Sequence, residues 1–211
     1  MWSGWETYQV DGRRLNVLHQ RFIDGCGLAC VAMVVNRRDG SRPTERAVMH
    51  VVNSPRYCGY AHDAAQGRYV PAKQDRAAND PDKDTAFSYT GAQAKFLPEY
   101  LQAYGIAAGY YHFPRGDDAF GAFIEHRYQS KFPAILKVYI GGSRPHFIVL
   151  EGFQSCDGQT KTKVIISDPA RPPIGGAKLA IMSTAPNEQD FIQRSDNKMQ
   201  YHVGEAIECS W

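Results

Sequence analysis

The chain reads as an α+β fold, with helices in its first half and an antiparallel sheet in its second. Three observations carry that reading. An apolar run of helical length follows Cys26, covering 27–36 as Gly-Leu-Ala-Cys-Val-Ala-Met-Val-Val-Asn. Strand-like runs crowd the stretch from 107 onward. The two kinds of element come one after the other rather than in strict alternation, which favours α+β over α/β.

Taken in order, residues 1–20 are mixed in character and are expected to form an irregular arm or a short strand. Gly25 and Gly27 flank Cys26. Residues 27–36 are apolar on nearly all sides, as in a buried helix. Basic residues and a glycine at 37–40 supply its stop. Pro43 and Thr44 open a second helix running to about Val52. Residues 53–90 are rich in Asn, Asp, Gly, Pro and Ala and show little periodicity, so a long polar insert is expected. A loop of that length inside one domain is unusual and often functional. A third helix is expected over 91–104, with Phe96, Leu97, Tyr100 and Leu101 on its apolar face and Pro98 marking a break or kink. Residues 107–113 read as a strand and 117–128 as a helix with Phe120, Phe123 and Ile124 inward. Strands follow at 134–140, 146–153, 163–168 and 178–183. No internal repeat interrupts a single domain over 1–211, helical through 15–105 and sheet-like through 106–211.

Composition bounds the function. A chain of 211 residues is long enough for one domain with a real core. Hydrophobic residues make up 43% and charged residues 22%, as in an ordinary soluble protein. The 24 basic and 22 acidic residues leave a net charge of +2, which gives no electrostatic footprint for a nucleic-acid partner. No apolar stretch approaches the roughly 18–20 residues that span a bilayer. The start, Met-Trp-Ser-Gly-Trp-Glu, has neither a basic region nor an apolar one, so a cytoplasmic location or export without a cleavable signal is expected. The five cysteines, at 26, 30, 58, 156 and 209, are odd in number and irregularly spaced, which fits free thiols in a reducing compartment. Cys30 reads as a buried structural thiol. Cys58 and His62 offer two ligands where a structural zinc takes four, so no metal and no cofactor are expected. His19 reads as an exposed polar residue and Glu151 as edge-facing. The terminal Trp2, Trp5 and Trp211 read as anchors that tie the chain ends down.

Four residues form a chemical set. Cys26 begins the buried helix, whose positive end favours a thiolate there. His146 opens a strand and Asp168 closes the next one. Between them lies Ser155-Cys-Asp-Gly-Gln159, in which Asp157-Gly158 is a hairpin signal. Folding the chain symmetrically about Asp157 puts His146 opposite Asp168, where cross-strand side chains are about 5 Å apart. A carboxylate there fixes the imidazole's tautomer and stabilises its cation, and the cation in turn supports a thiolate. The Cys26 backbone N–H and the Gln20 side-chain amide would supply an oxyanion hole. Gly25 and Gly27 would let a substrate carbonyl come close to the backbone.

The motifs Gln20-x5-Cys26-Gly-x-Ala-Cys-x-Ala-Met33, His146-Phe-x-Val-Leu-x-Gly152 and a strand ending in Asp168-Pro169 resemble the papain-like cysteine peptidases. Within them the pattern is most similar to the bacterial double-glycine leader peptidase group and its standalone relatives. The resemblance implies Cys26 as nucleophile, His146 as base, Asp168 as its orienting acid and Gln20 as oxyanion donor. It also implies two lobes, a helical one carrying the cysteine and a sheet lobe carrying His and Asp, with a protein or peptide substrate in the cleft between them. Two departures stand out: Gly25 precedes the cysteine where leader peptidases carry an acidic residue (here Asp24, one position earlier), and no transporter part accompanies the chain. Those departures point to a freestanding cysteine endopeptidase, an effector or toxin acting on another organism's protein. Acyl transfer to an amine, or deamidation of glutamine, would use the same triad, and an inert binding module would keep only the fold.

Overall fold

Asp11 and Gly12 turn the chain with positive φ at both positions, 50° and 71°. That is the backbone of a two-residue hairpin turn, for which Asp-Gly is among the strongest signals. The segment expected as an irregular arm or a short strand is therefore a two-stranded hairpin, β1 (Trp5–Val10) against β2 (Arg13–Leu18), paired from Trp5↔Leu18 to Val10↔Arg13. The computed structural model describes residues 4–20, 25–52, 60–63, 68–71, 92–114, 119–140, 144–155, 161–183, 191–194 and 200–211.

Helix α1 (Cys26–Asp39) is buried from Gly27 through Asn36, as its all-round apolar sequence requires. Leu28, Val31, Met33, Val34 and Val35 are each at most 1% exposed. Burial of each contributes about 1.5–3 kcal/mol, which fixes this helix firmly in place. It stops at Gly40, whose left-handed backbone (φ 77°) lets its N–H reach Asn36 O at 2.9 Å. Helix α2 (Glu45–Val51) starts at Thr44, whose hydroxyl accepts from the Ala47 N–H at 3.1 Å. Most of 53–90 lies outside the described residues, but β3 (Tyr60–Asp63) and β4 (Arg68–Pro71) within it pair antiparallel where only loop was expected. A 3-10 turn (Ala94–Phe96) leads into α3 (Leu97–Ala103). Pro98 lies in the first turn of α3, where its missing N–H costs nothing, so the expected break is a helix start.

The second half supplies β5 (Ala107–His112), α4 (Ala119–Ser130), β6 (Ala134–Ile140), β7 (Arg144–Ser155), β8 (Lys161–Asp168), β9 (Gly176–Ser183), β10 (Phe191–Arg194) and β11 (Gln200–Ser210). Seven of these strands form one antiparallel sheet in the order β10-β9-β8-β7-β6-β11-β5. Because β10 also pairs with β11, strands β6 to β11 close on themselves and leave β5 as an added edge. The last two strands were not expected from the sequence. In β11 the pairing with β6 shifts between Val203 and Glu205, so the inward alternation changes parity at Gly204 and the period-2 pattern is lost.

The two faces of this sheet feed two cores. On β7, Ile148 and Leu150 join Phe120, Phe123 and Ile124 of α4, whereas Phe147 and Val149 join α1 and α3. Trp5 is buried with the second core, Trp211 is 43% exposed with its ring against Phe132, and Trp2 lies outside the described residues. Glu151 is not edge-facing: it is buried and forms a bidentate pair with Arg37. Among the described residues no helix is long and apolar enough to cross a membrane.

Candidate active site

Cys26 is the first residue of α1 and is partly buried, with Gly25 as the N-cap. The first turn holds no acidic residue, so nothing there offsets the positive end of the helix. Gly27 is where the helix touches the sheet. A Cβ added there would lie 2.9 Å from Ala92 Cβ and 3.4 Å from Phe147 Cδ2. Only glycine lets α1 begin this close to Phe147, the residue next to His146.

His146 is the third residue of β7 and Asp168 the last of β8. Their register differs from the symmetric hairpin expected from the sequence. Val149 opposes Ser167 and Leu150 opposes Ile166, so Asp168 falls level with position 148 and His146 lies two residues further along. Ser155 opposes Lys163, four residues beyond the partner that symmetry about Asp157 would give it, and two register shifts in β7, between Phe153 and Ser155 and between Leu150 and Gly152, cut that displacement to two. A displacement of two residues preserves the face, where a displacement of one would reverse it. Diagonal neighbours are about 7–8 Å apart at the backbone, within reach of an imidazole. The contact forms: His146 Nε2 lies 2.8 Å from Asp168 Oδ1. The Asp157-Gly158 turn itself lies outside the described residues.

Asp168 is 1% exposed and well supplied with donors. The Ala170 backbone N–H donates to Oδ1 at 2.8 Å, and the Tyr201 hydroxyl donates to Oδ2 at 2.9 Å. Burial alone would raise its pKa, but the hydrogen bond and charge of His146, with the Ala170 and Tyr201 bonds, outweigh burial and hold the carboxyl below its ordinary value. His146 is shifted the opposite way. Burial works against its cation, but side-chain hydrogen bonds to Asp168 and to Cys26, and the charges of both, raise it well above 6.5. With Nε2 taken by Asp168, Nδ1 is the ring nitrogen left for the thiol.

Gln20 reaches the same place through its backbone. Its N–H donates to Pro169 O at 2.7 Å, and its carbonyl accepts from Arg171 Nε at 3.2 Å. His19 is fully buried, correcting the exposed position expected for it. Its Nδ1 lies 2.7 Å from Ala170 O and its Nε2 lies 2.9 Å from the Tyr8 hydroxyl. The 168–171 turn therefore holds the carboxylate by its own N–H and the end of the β2 segment by its carbonyls.

Tyr201 is the functional neighbour that sequence reasoning missed, and the parity change at Gly204 hid the strand that carries it. Cys30, one helical turn past Cys26, is fully buried, and burial pushes its thiol well up. Burial likewise raises Cys209 to about 12. Cys58 and Cys156 lie outside the described residues. Among the described residues no three His, Cys, Asp or Glu side chains are grouped to hold a metal ion.

No protein-family model matches the chain, and no curated protein matches it. Among solved structures the chain is similar to the peptidase domain of Streptococcus ComA, a bi-functional ABC transporter involved in a quorum-sensing pathway. That likeness is at 16% identity and a TM-score of 0.48, over 92% of this chain and 96% of that one. It is also similar to a double-glycine motif protease from an AMS/PCAT transporter in complex with the leader peptide, at 17% identity and a TM-score of 0.47, over 92% of this chain and 89% of that one.

Proposed function

We propose that the chain is a cysteine endopeptidase with a papain-like two-lobe arrangement, acting on a protein or peptide substrate. The observation that carries this reading is one buried imidazole bonded at Nε2 to the Asp168 carboxylate, with the Cys26 side chain near enough to help hold its cation. A lone buried cysteine at a helix start is ordinarily a small core residue. One set beside a carboxylate-held histidine has the arrangement of an activated nucleophile.

In this reading the Cys26 proton passes to His146 Nδ1, and the ion pair is favoured by Asp168, which stabilises the imidazolium through Nε2–H. The thiolate attacks the scissile carbonyl carbon, and the charge moves to its oxygen. The Cys26 backbone N–H and the Gln20 side-chain amide receive that oxyanion, a contribution of about 10²–10³ in rate per donor in comparable sites. Collapse breaks the C–N bond as Nδ1–H protonates the leaving nitrogen, which leaves a thioester on Cys26. Water then attacks the thioester while His146 takes its proton, releasing the acid and restoring the thiol. Gly25 keeps the backbone before Cys26 free of a side chain where the carbonyl approaches, whereas Gly27, expected to do the same, is buried against Ala92 and Phe147 and serves the contact of α1 with the sheet.

The test is N-terminal profiling of a complex peptide or protein mixture treated with the wild-type chain or with Cys26→Ala. The reading requires new chain ends with the wild type only. A mass change at glutamine without chain breaks would assign deamidation, and an amine adduct would assign acyl transfer. Identical profiles from both proteins, with no adduct on Cys26, would refute catalysis.

A further inference from the structure

Helix α1 and strand β7 run side by side from the candidate site, and they are joined again at their far ends. Arg37 lies eleven residues after Cys26, about 16–17 Å along a helix rising about 1.5 Å per residue. Glu151 lies five residues after His146, about 16–17 Å along a strand rising about 3.3 Å per residue. The two spans match, and Arg37 and Glu151 meet in a bidentate pair, Nε to Oε2 at 2.7 Å and Nη2 to Oε1 at 2.6 Å. The Glu151 side chain is 1% exposed and that of Arg37 14%. A register shift in β7 falls between Leu150 and Gly152, at Glu151 itself, and such bulges re-aim side chains.

The same guanidinium also holds β2. Arg37 Nη2 donates to Asn16 O at 2.9 Å, and Nη1 donates to Asn36 Oδ1 at 3.0 Å. Asn16 lies four residues before Gln20, about 13 Å along an extended chain. One planar group thus ties together α1, which carries Cys26, β7, which carries His146, and β2, which leads to Gln20.

We infer that Arg37, through Glu151 and Asn16, is a positioning residue that sets the axial register of α1 against β7 and β2 and so holds Cys26 at bonding distance from His146. The inference rests on the proposed reading of that site. A buried ion pair is no more stabilising than a well-packed apolar pair of similar volume, so stability alone does not account for it. A planar bidentate fork, unlike a lysine ammonium, fixes direction as well as distance. Misplacement of about 1 Å at a reacting pair can cost on the order of 10²-fold in rate.

The test compares the wild type with Arg37→Lys and with the double variant Arg37→Met/Glu151→Leu. Circular dichroism and thermal melting establish folding. Iodoacetamide labelling of Cys26, followed by peptide mass mapping across pH, reports the Cys26–His146 pairing without needing a substrate. Both variants are expected to fold and to label Cys26 about 10- to 100-fold more slowly near neutral pH. In cleavage assays the loss should fall on kcat more than on KM. Wild-type labelling rate and pH profile in either folded variant would overturn the inference. Should the double variant fail to fold, Arg37→Lys decides. Failure of both to fold would also overturn it, making the pair a stability element. A wild-type chain that labels fast at Cys26 but cleaves nothing would remove the protease reading and leave this inference standing.

Discussion

Replacing Tyr201 with phenylalanine removes one hydroxyl from a place that solvent does not reach. Tyr201 is 0% exposed and Asp168 1%, and the bond between them is 2.9 Å. A hydrogen bond to a charged group contributes about 1.5–3 kcal/mol, and a buried acceptor that loses its donor is not rehydrated. Asp168 keeps His146 and Ala170 on its other oxygen, so the lower part of that range applies, about 2 kcal/mol. For a chain of this size that is a fall in Tm of roughly 4–8 °C at neutral pH. The sign with pH follows from the carboxyl being held below its ordinary value in the folded state. Such a group contributes stability above its unfolded value near 3.8, and that stability is lost as pH falls through the folded value. Without the hydroxyl the folded value rises, so Tyr201→Phe should begin acid unfolding at a higher pH than the wild type. The gap in Tm should narrow once both proteins are protonated at Asp168. Thermal melts across pH measure both effects. Equal Tm at neutral pH, or a deficit that stays constant into the acid range, would refute the reasoning.

Two further perturbations address the same cluster. Asp168→Asn removes the charge that raises His146 and weakens the bond at Nε2, leaving burial opposed mainly by Cys26. The alkaline limb of kcat/KM should move to lower pH and kcat should fall by about 10²–10⁴-fold, with an unmoved limb counting against the assigned roles. Gly27→Ala gains up to about 1 kcal/mol of helix propensity. It also forces a Cβ to 2.9 Å from Ala92 Cβ, an overpacking that costs about 1–3 kcal/mol. Overpacking should win. A net loss in denaturant melts is expected together with slower labelling of Cys26, and a stabilised, fully reactive variant would contradict the close approach of α1 to Phe147.

Where one local pattern decided an element, the sequence was readable. The all-round apolar run made α1 legible, Thr44 marked the start of α2, and alternation placed β6 to β9 within a few residues. The juxtaposition of His146 with Asp168 was legible from the strand pair alone, although its register was not. The pairing is already displaced by four residues at Ser155↔Lys163, two bulges in β7 bring this to two, and a displacement of two leaves the face intact. Other features were set by tertiary context. Asp11-Gly12 carried a usable hairpin signal that the mixed composition of residues 1–20 obscured. β11 lost its alternation at Gly204, and Tyr201 went with it. His19 and Glu151 looked like surface groups because their partners, Ala170 and Arg37, are more than a hundred residues away in sequence. Long-range pairing of polar groups leaves no local pattern to read.

The most direct test of the account is the protonation of one imidazole. Nitrogen NMR of histidine-labelled protein, assigned to His146 and titrated in the wild type and in Cys26→Ala, reads it without a substrate. The account predicts that His146 in the wild type keeps its proton well above the ordinary histidine value of 6.5, and that Cys26→Ala lowers its titration because the bond and charge of Cys26 are lost. A His146 that titrates near 6.5, or titrates identically in both proteins, would contradict the pairing on which the proposed chemistry depends.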